Sequence, residues 1–394
     1  MIRKIKSFLV GHYRIILVAL FIGVISSLPQ YLAQSSRLNF QGMYVGVAND
    51  MSFYQARARD IIDGHIFLTN PYLAEHKTGA PMQFWIPDYI LAKPIQWLGL
   101  SVPLGFIIWT FFLTFILTII SYFILLILTK SRNWSFLGAV LLHLGIFGNQ
   151  FLRLPPPGLT FIFWLVALLS MLLCIEKDGR WGWLSAAFFF GMLFNIYPYY
   201  WTYYVIFYVV FVVLSFVLGL PWKKYVRIFL VGLIVAIPFL ISTWQSLQMP
   251  WYAESSRRLG MIATHFPSGV SSVVVCGIAI CLFLWAYRKK IIAKNSTTIL
   301  LFSGFLAGII AVNQQIITGQ NVEFSSHYIL GSEFMVVFGI FYVLVLWLKV
   351  KSEKFQKIFL ILGFAIVFVI SVFGVFSIIK PQLAYNQEVV DIQN

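Results

Sequence analysis

Long apolar runs recur along the whole chain, at residues 15–33, 102–128, 134–150, 158–175, 181–197, 202–220, 226–244, 269–287, 296–312, 331–348 and 356–379. A helix needs roughly 20 apolar residues to cross about 30 Å of hydrocarbon, and each run reaches or approaches that length. The pattern predicts an all-α polytopic membrane protein of about eleven transmembrane helices, a single transmembrane domain over residues 1–394. The runs at 134–150, 181–197 and 296–312 are short, and Pro198 leaves the division of 181–205 open.

The polar segments between the runs are of two kinds. TKSRNW, EKDGR and PWKKYVR are short and basic, whereas residues 34–101, 245–268 and 313–330 are longer and carry most of the polar chemistry. In the first long segment, DMSFYQARARDIIDG at 50–64 puts Met51, Tyr54, Ala58, Ile61 and Ile62 on one helical face. Ser52, Gln55, Arg59 and Asp63 fall on another, so an amphipathic helix is predicted. Asn49 or Asp50 suits its N-cap and Gly64 its stop. Pro71, Pro81, Pro87 and Pro94 argue against one long helix beyond it.

Charge assigns the sides. With the N-terminus inside, 19 of the 28 Lys and Arg residues fall on cytoplasmic segments, against 3 of the 13 acids. Short cytoplasmic loops retain positive charge, so the N-terminus is expected in the cytoplasm and the tail PQLAYNQEVVDIQN outside. The basic balance is thus a topology signal, and no nucleic-acid partner is indicated. The setting expected is a plasma (inner) membrane, with membrane lipids as surroundings. Composition agrees: 60% of residues are hydrophobic and 10% charged, against about 45–50% and about 25% in a soluble domain. Cys174, Cys276 and Cys281 lie inside apolar runs and read as small core residues. The basic start MIRKIKSFLVGHYR precedes an apolar run with no small-residue cleavage site after it, so a retained helix is expected.

The pieces VANDMSFYQARARDIIDG and NPYLAEHK follow the first span within a large outer loop that bears an amphipathic helix. In this, the first hundred or so residues resemble the GT-C class of membrane glycosyltransferases. The resemblance implies a sugar donor carried on a polyprenyl phosphate, an acceptor hydroxyl on a glycan, lipid or protein, and transfer with inversion on the extracytoplasmic face. It also implies that the outer-loop acid, by position Asp50, deprotonates the acceptor or helps to hold a divalent metal. Many members of the class carry two adjacent acids there, whereas this chain has Asn49 and Asp50. One carboxylate suffices for a general base, and a metal-dependent mechanism is disfavoured. Asp60, Asp63, Glu75 and Asp88 are the nearby acids that would supply a second carboxylate.

Other candidates are read against plainer roles. Asp50 also fits a helix cap. Arg57 and Arg59 offer paired donors to a lipid phosphate, or simply contact headgroups. In QSLQMPWYAESSRRLGMIATHFPSG, Arg257, Arg258 and His265 suit a phosphate, while Trp251 and Tyr252 would anchor a solvated loop. NQQIITGQNVEFSSHYILGSE holds Gln314, Gln315, Gln320, Glu323 and His327 between two apolar spans, where polar groups are expected to line a cavity. Arg153 precedes LPPPG and places a fixed cation at the outer end of the third span. His143 is expected to hydrogen-bond a neighbouring helix, and NIYPYYWTYY at 195–204 to form an interfacial aromatic belt, with a sugar-stacking platform as the alternative.

No Walker-type glycine loop, HExxH, CxxC or GxSxG motif is present. No stretch has the size of a soluble nucleotide-sugar domain, so a transferase of this build requires a lipid-linked donor. Two rivals remain at this level: a lipid or sugar transporter or flippase, and a non-catalytic scaffold that keeps the enzyme's fold.

Overall fold

A computed structural model describes residues 2–35, 50–68, 84–177, 179–250, 252, 262–321 and 327–393; the side chains of 2–9, 33–35, 262, 381 and 383–393 are outside the description. Each of the eleven apolar runs falls on helix. In chain order the helices are α1 (Ile2–Ser35), α2 (Met51–Ile62), α3 (Trp85–Trp97), α4 (Val102–Thr129), α5 (Arg132–Val140), α6 (Thr160–Glu176), α7 (Arg180–Phe194) and α8 (Pro198–Val217). There follow α9 (Trp222–Val235), α10 (Ile237–Leu247), α11 (Val270–Arg288), α12 (Ser296–Ala311), α13 (Gln315–Thr318), α14 (His327–Lys349) and α15 (Glu353–Gln393).

Six helical segments are long and apolar enough to cross a membrane: Val10–Leu32, Val102–Thr129, Pro198–Val217, Val270–Arg288, His327–Lys349 and Glu353–Lys380. The pair α9 and α10 makes a seventh if its 53° bend is taken within one span. α6 and α12 are apolar but shorter. The run at 134–150 is interrupted: α5 passes into a π-helix at Leu141–Ile146 and then a 3-10 turn at Gly148–Leu152. His143 sits in the π segment, buried, and shares a 2.9 Å hydrogen bond with Ser121 of α4. Pro198 resolves the neighbouring ambiguity by starting α8, where its missing N–H has no helical partner to lose.

The helix ends form two levels. At one, Lys130 pairs with Glu176 at 2.6 Å, Lys224 donates to the Cys174 carbonyl at 2.8 Å, and Lys349 to the Thr129 carbonyl at 3.3 Å. At the other lie α2, α3 and the starts of α6, α8 and α14. α14 is the most enclosed of these six segments, with 67% of its apolar window buried, whereas α15 has only 17% and leaves Ile361, Phe368 and Phe373 exposed.

A satellite core fixes α2 and α3 to this second level. Met51, Tyr54, Ala58 and Ile61 of α2 pack with Leu91, Ala92 and Ile95 of α3, with Phe106, Ile107 and Leu113 of α4, and with Leu154 and Leu159. The predicted amphipathic helix is therefore present, its apolar face against protein. Gly64, at φ +104°, takes the left-handed conformation that ends the turn. Two-residue strands at the same level, β1 (Ile262–Ala263) and β2 (Gln320–Asn321), pair antiparallel and tie two loops together.

Candidate functional site

Asp50 stands immediately before α2, but its side chain caps nothing. Only its backbone carbonyl joins the helix, accepting from Tyr54 N–H at 3.3 Å. The carboxylate instead turns to Arg153: Nε donates to Oδ1 at 3.1 Å, and Nη2 pairs with Oδ2. The capping alternative for Asp50 is thus not the one the fold uses. Burial and pairing pull the Arg153 guanidinium in opposite directions. Desolvation lowers its pKa, but the hydrogen bond to Asp50 and the surrounding oxygens outweigh it, so the group is held above its ordinary value and stays charged.

The loop after the 3-10 turn presents Arg153. The residue is extended, at φ −85° and ψ 123°, and a tight turn follows in which Gly158 N–H returns to the Arg153 carbonyl at 3.0 Å. A Cβ on Gly158 would come within 2.8 Å of the Phe151 carbonyl and 3.0 Å of the Arg153 carbonyl, so the turn requires glycine there. The bonds Leu154–Pro155 and Pro156–Pro157 are cis.

Beside this pair lies a cavity of about 360 Å³, lined by Gln150, Arg153, Pro156, Pro157, Tyr197, Tyr200, His327, Ile329, Leu330 and Glu333. Its walls are helix ends: the 3-10 turn, the turn at 153–159, the start of α8 and the first turns of α14. Tyr197 Oη and His327 Nδ1 share a 2.7 Å hydrogen bond, and the Tyr199 ring stacks on His327 with centroids 4.6 Å apart. Burial pushes the Tyr197 hydroxyl well above its usual range, so it remains a neutral phenol. The cavity accordingly combines one guanidinium, one carboxyl, an imidazole, an amide and two phenols with the apolar side chains of Pro156, Pro157, Ile329 and Leu330.

Behind Asp50 a second ion pair braces the helix. Arg57 is wholly buried and reaches Asp88 of α3 at 2.6 Å, with Nη2 also donating to the Phe84 carbonyl at 3.3 Å. Burial pushes the Asp88 carboxyl up, to about 6, although the adjacent guanidinium pulls the other way. The guanidiniums of Arg57 and Arg153 lie over the Tyr54 ring at 5.9 and 5.7 Å. Tyr54 is itself buried, which raises its hydroxyl to about 12.

The structure thus brings together three of the candidates, Asp50, Arg153 and His327, and sets Arg57 one layer behind them. Arg59 is apart: it forms an exposed pair with Asp63 at 2.8 Å. His265 also lies elsewhere, exposed, hydrogen-bonded at 3.1 Å to the Ile316 carbonyl. Arg257, Arg258, Glu323 and Glu75 lie outside the described residues. Gln314 and Gln315 do not line the cavity. They brace loops, donating to the Gln320 carbonyl at 2.9 Å and to the Phe266 carbonyl at 3.0 Å. The aromatic run is not a belt either: Tyr197, Tyr199, Tyr200, Tyr203 and Tyr204 are all buried, and two of them face the cavity.

Sequence reading missed Glu333 and Gln150 as wall residues, and ranked a sugar-stacking role for the tyrosines behind the belt. The spacing His327, Leu330, Glu333 runs in three-residue steps along α14, a signal that one helical stripe carries both ionisable groups. Among the described residues no three His, Cys, Asp or Glu side chains come together to hold a metal ion, and Asp50 is engaged by Arg153. Comparison with known proteins finds no protein family that matches the chain and no curated protein similar to it.

Proposed function

We propose that this chain is a GT-C-like glycosyltransferase of about eleven membrane segments, working at the extracytoplasmic face of a prokaryotic plasma membrane. It moves a sugar from a polyprenyl-phosphate donor to an acceptor hydroxyl, with inversion. The observation that carries the reading is Arg153, a guanidinium anchored by Asp50 and turned into a cavity among the ends of apolar helices. Asp50 occupies Nε and Nη2, which leaves Nη1 for a ligand. A cavity of about 360 Å³ suits a sugar and its phosphate, and Tyr197 and Tyr200 offer rings to the apolar face of a pyranose.

In the reaction the acceptor oxygen forms its bond to the anomeric carbon as the bond from that carbon to the phosphate oxygen breaks. The phosphate leaves with the electron pair, and Arg153 faces the charge that develops on it. No nucleotide-binding motif is required, because the lipid brings the activated sugar.

The test is transfer of labelled sugar by the purified protein in membranes supplied with a panel of polyprenyl-phosphate sugars. Wild-type transfer is expected, with Arg153→Gln losing about 100-fold or more in kcat/KM, as for loss of a charge-assisted contact to a leaving group. A wild-type protein that transfers nothing across the panel overturns the reading.

A transporter is the second reading, favoured by the bend between α9 and α10 and the break at the π-helix after α5. It requires lipid-linked sugar to change sides without a change in covalent structure, which the same membranes would report.

A further inference from the structure

Resting on the transferase reading, we infer that Glu333 is the general base of this cavity, the group that takes the proton of the acceptor hydroxyl. Glu333 is the acid among the cavity's lining residues. It lies in the second turn of α14, half-buried, and among the described residues its carboxyl makes no hydrogen bond or ion pair.

Three other described carboxyls of this region are paired with arginines. Asp50 is held through both oxygens by Arg153. Asp88 is enclosed behind α2 with Arg57, and Asp63 pairs with Arg59 on the exposed side of α2. Arg153 N–H groups occupy both Asp50 oxygens, so an acceptor hydroxyl would have to displace the guanidinium to reach them. Among the described residues no guanidinium or ammonium competes for the Glu333 carboxyl on the cavity wall. Ionisable groups in such helices are costly, and they are retained where a substrate or proton uses them.

The two charged groups divide the chemistry. As the acceptor oxygen bonds to the anomeric carbon, its proton passes to a Glu333 carboxylate oxygen, while the electron pair of the broken bond leaves on the phosphate facing Arg153. Glu333 then returns the proton to water once the products depart. Asp50 serves as a positioning residue that aims Arg153.

Glu333→Gln preserves shape and removes basicity. In purified protein whose thermal unfolding matches wild type, this variant should bind undecaprenyl phosphate within about twofold of wild type, yet transfer sugar at least ~100-fold more slowly. Glu333→Asp should recover part of the rate. N,N′-dicyclohexylcarbodiimide should modify Glu333 in wild-type protein, read by peptide mass spectrometry, with undecaprenyl phosphate protecting it. Turnover within about threefold of wild type in Glu333→Gln overturns the inference alone, since the active wild type leaves the transferase reading standing. Affinity lost in step with rate also overturns it, by making Glu333 a binding residue. An inactive wild type overturns the transferase reading and the base with it.

Discussion

Arg153 grips both carboxylate oxygens of Asp50 across 103 residues of chain, and this joins the interfacial helix to the wall of the cavity. The acid singled out by position is therefore an anchor before any ligand arrives. Its replacements separate anchor from base. Asp50→Asn keeps an oxygen for Nε and removes a charge that competes with phosphate. It should bind undecaprenyl phosphate at least as tightly as wild type and keep turnover within about tenfold. Asp50→Ala leaves the guanidinium without its acceptor and should lose about 10-fold or more in affinity. A fall of ~10² to 10⁴ in kcat with unchanged affinity in Asp50→Asn would instead make Asp50 the base.

Gly158 controls the same guanidinium from the backbone. A methyl group there meets the Leu154 side chain, which can turn aside, and crowds the Phe151 and Arg153 carbonyls, which are backbone of the same turn. Gly158→Ala should destabilise the protein by about 1–3 kcal/mol, as overpacking does, and weaken undecaprenyl phosphate binding as Arg153 shifts. Thermal unfolding in detergent and a lipid-phosphate titration read the two effects. An unchanged protein in both assays would mean that the turn yields.

The Arg57–Asp88 pair is a brace whose charge is expendable. Asp88 sits above its ordinary carboxyl pKa because loss of water outweighs the attraction of Arg57, so the ionised pair gains little over solvated charges. Removing one partner leaves a buried charge alone: Arg57→Met or Asp88→Leu should each cost about 3–5 kcal/mol, while the double replacement should restore much of it. The sign with pH follows from the raised value. The native state holds the Asp88 proton more tightly than the unfolded chain. Its contribution is thus complete below the unfolded value of 3.8 and is lost as pH rises through about 6. Unfolding followed from pH 4 to 7 should show that extra loss in wild type and not in the double variant.

Much of this architecture was legible because hydropathy reports length and period together. Every apolar run is helical, and the amphipathic helix spans Met51–Ile62 within the predicted 50–64. The place of Arg57 was misread: offered to a lipid phosphate or headgroups, it instead shares an i, i+3, i+4, i+7 stripe with Tyr54, Ala58 and Ile61 on the buried face of α2. Its partner was not readable, since nothing local links residue 57 to residue 88. Glu333 was hidden for another reason: a single acid barely alters the mean of an apolar run, and only the fold shows which residues it faces. The tyrosines at 197–204 read as a membrane belt because composition alone does not separate an aromatic ring facing lipid from one packed between helices. Arg153 and His327 stood out as isolated charged or titratable groups at span ends, but their meeting depends on α14 lying beside the start of α8.

The two levels of helix ends give a direct test of sidedness. Positive charge favours the level holding Lys130, Lys224 and Lys349 as cytoplasmic, which puts the cavity on the opposite face. Trp181 and Val350 are exposed at the first level, and Phe266 and Ile317 at the second. Single cysteines at these four positions, in a chain whose Cys174, Cys276 and Cys281 are replaced by Ala, should divide cleanly. A membrane-impermeant maleimide added to intact cells should label positions 266 and 317, and should reach 181 and 350 only after permeabilisation. The reverse pattern would place Arg153 and Glu333 in the cytoplasm and remove the case for an extracytoplasmic transferase. Labelling of all four in intact cells would show that at least one of the levels is not a membrane face at all.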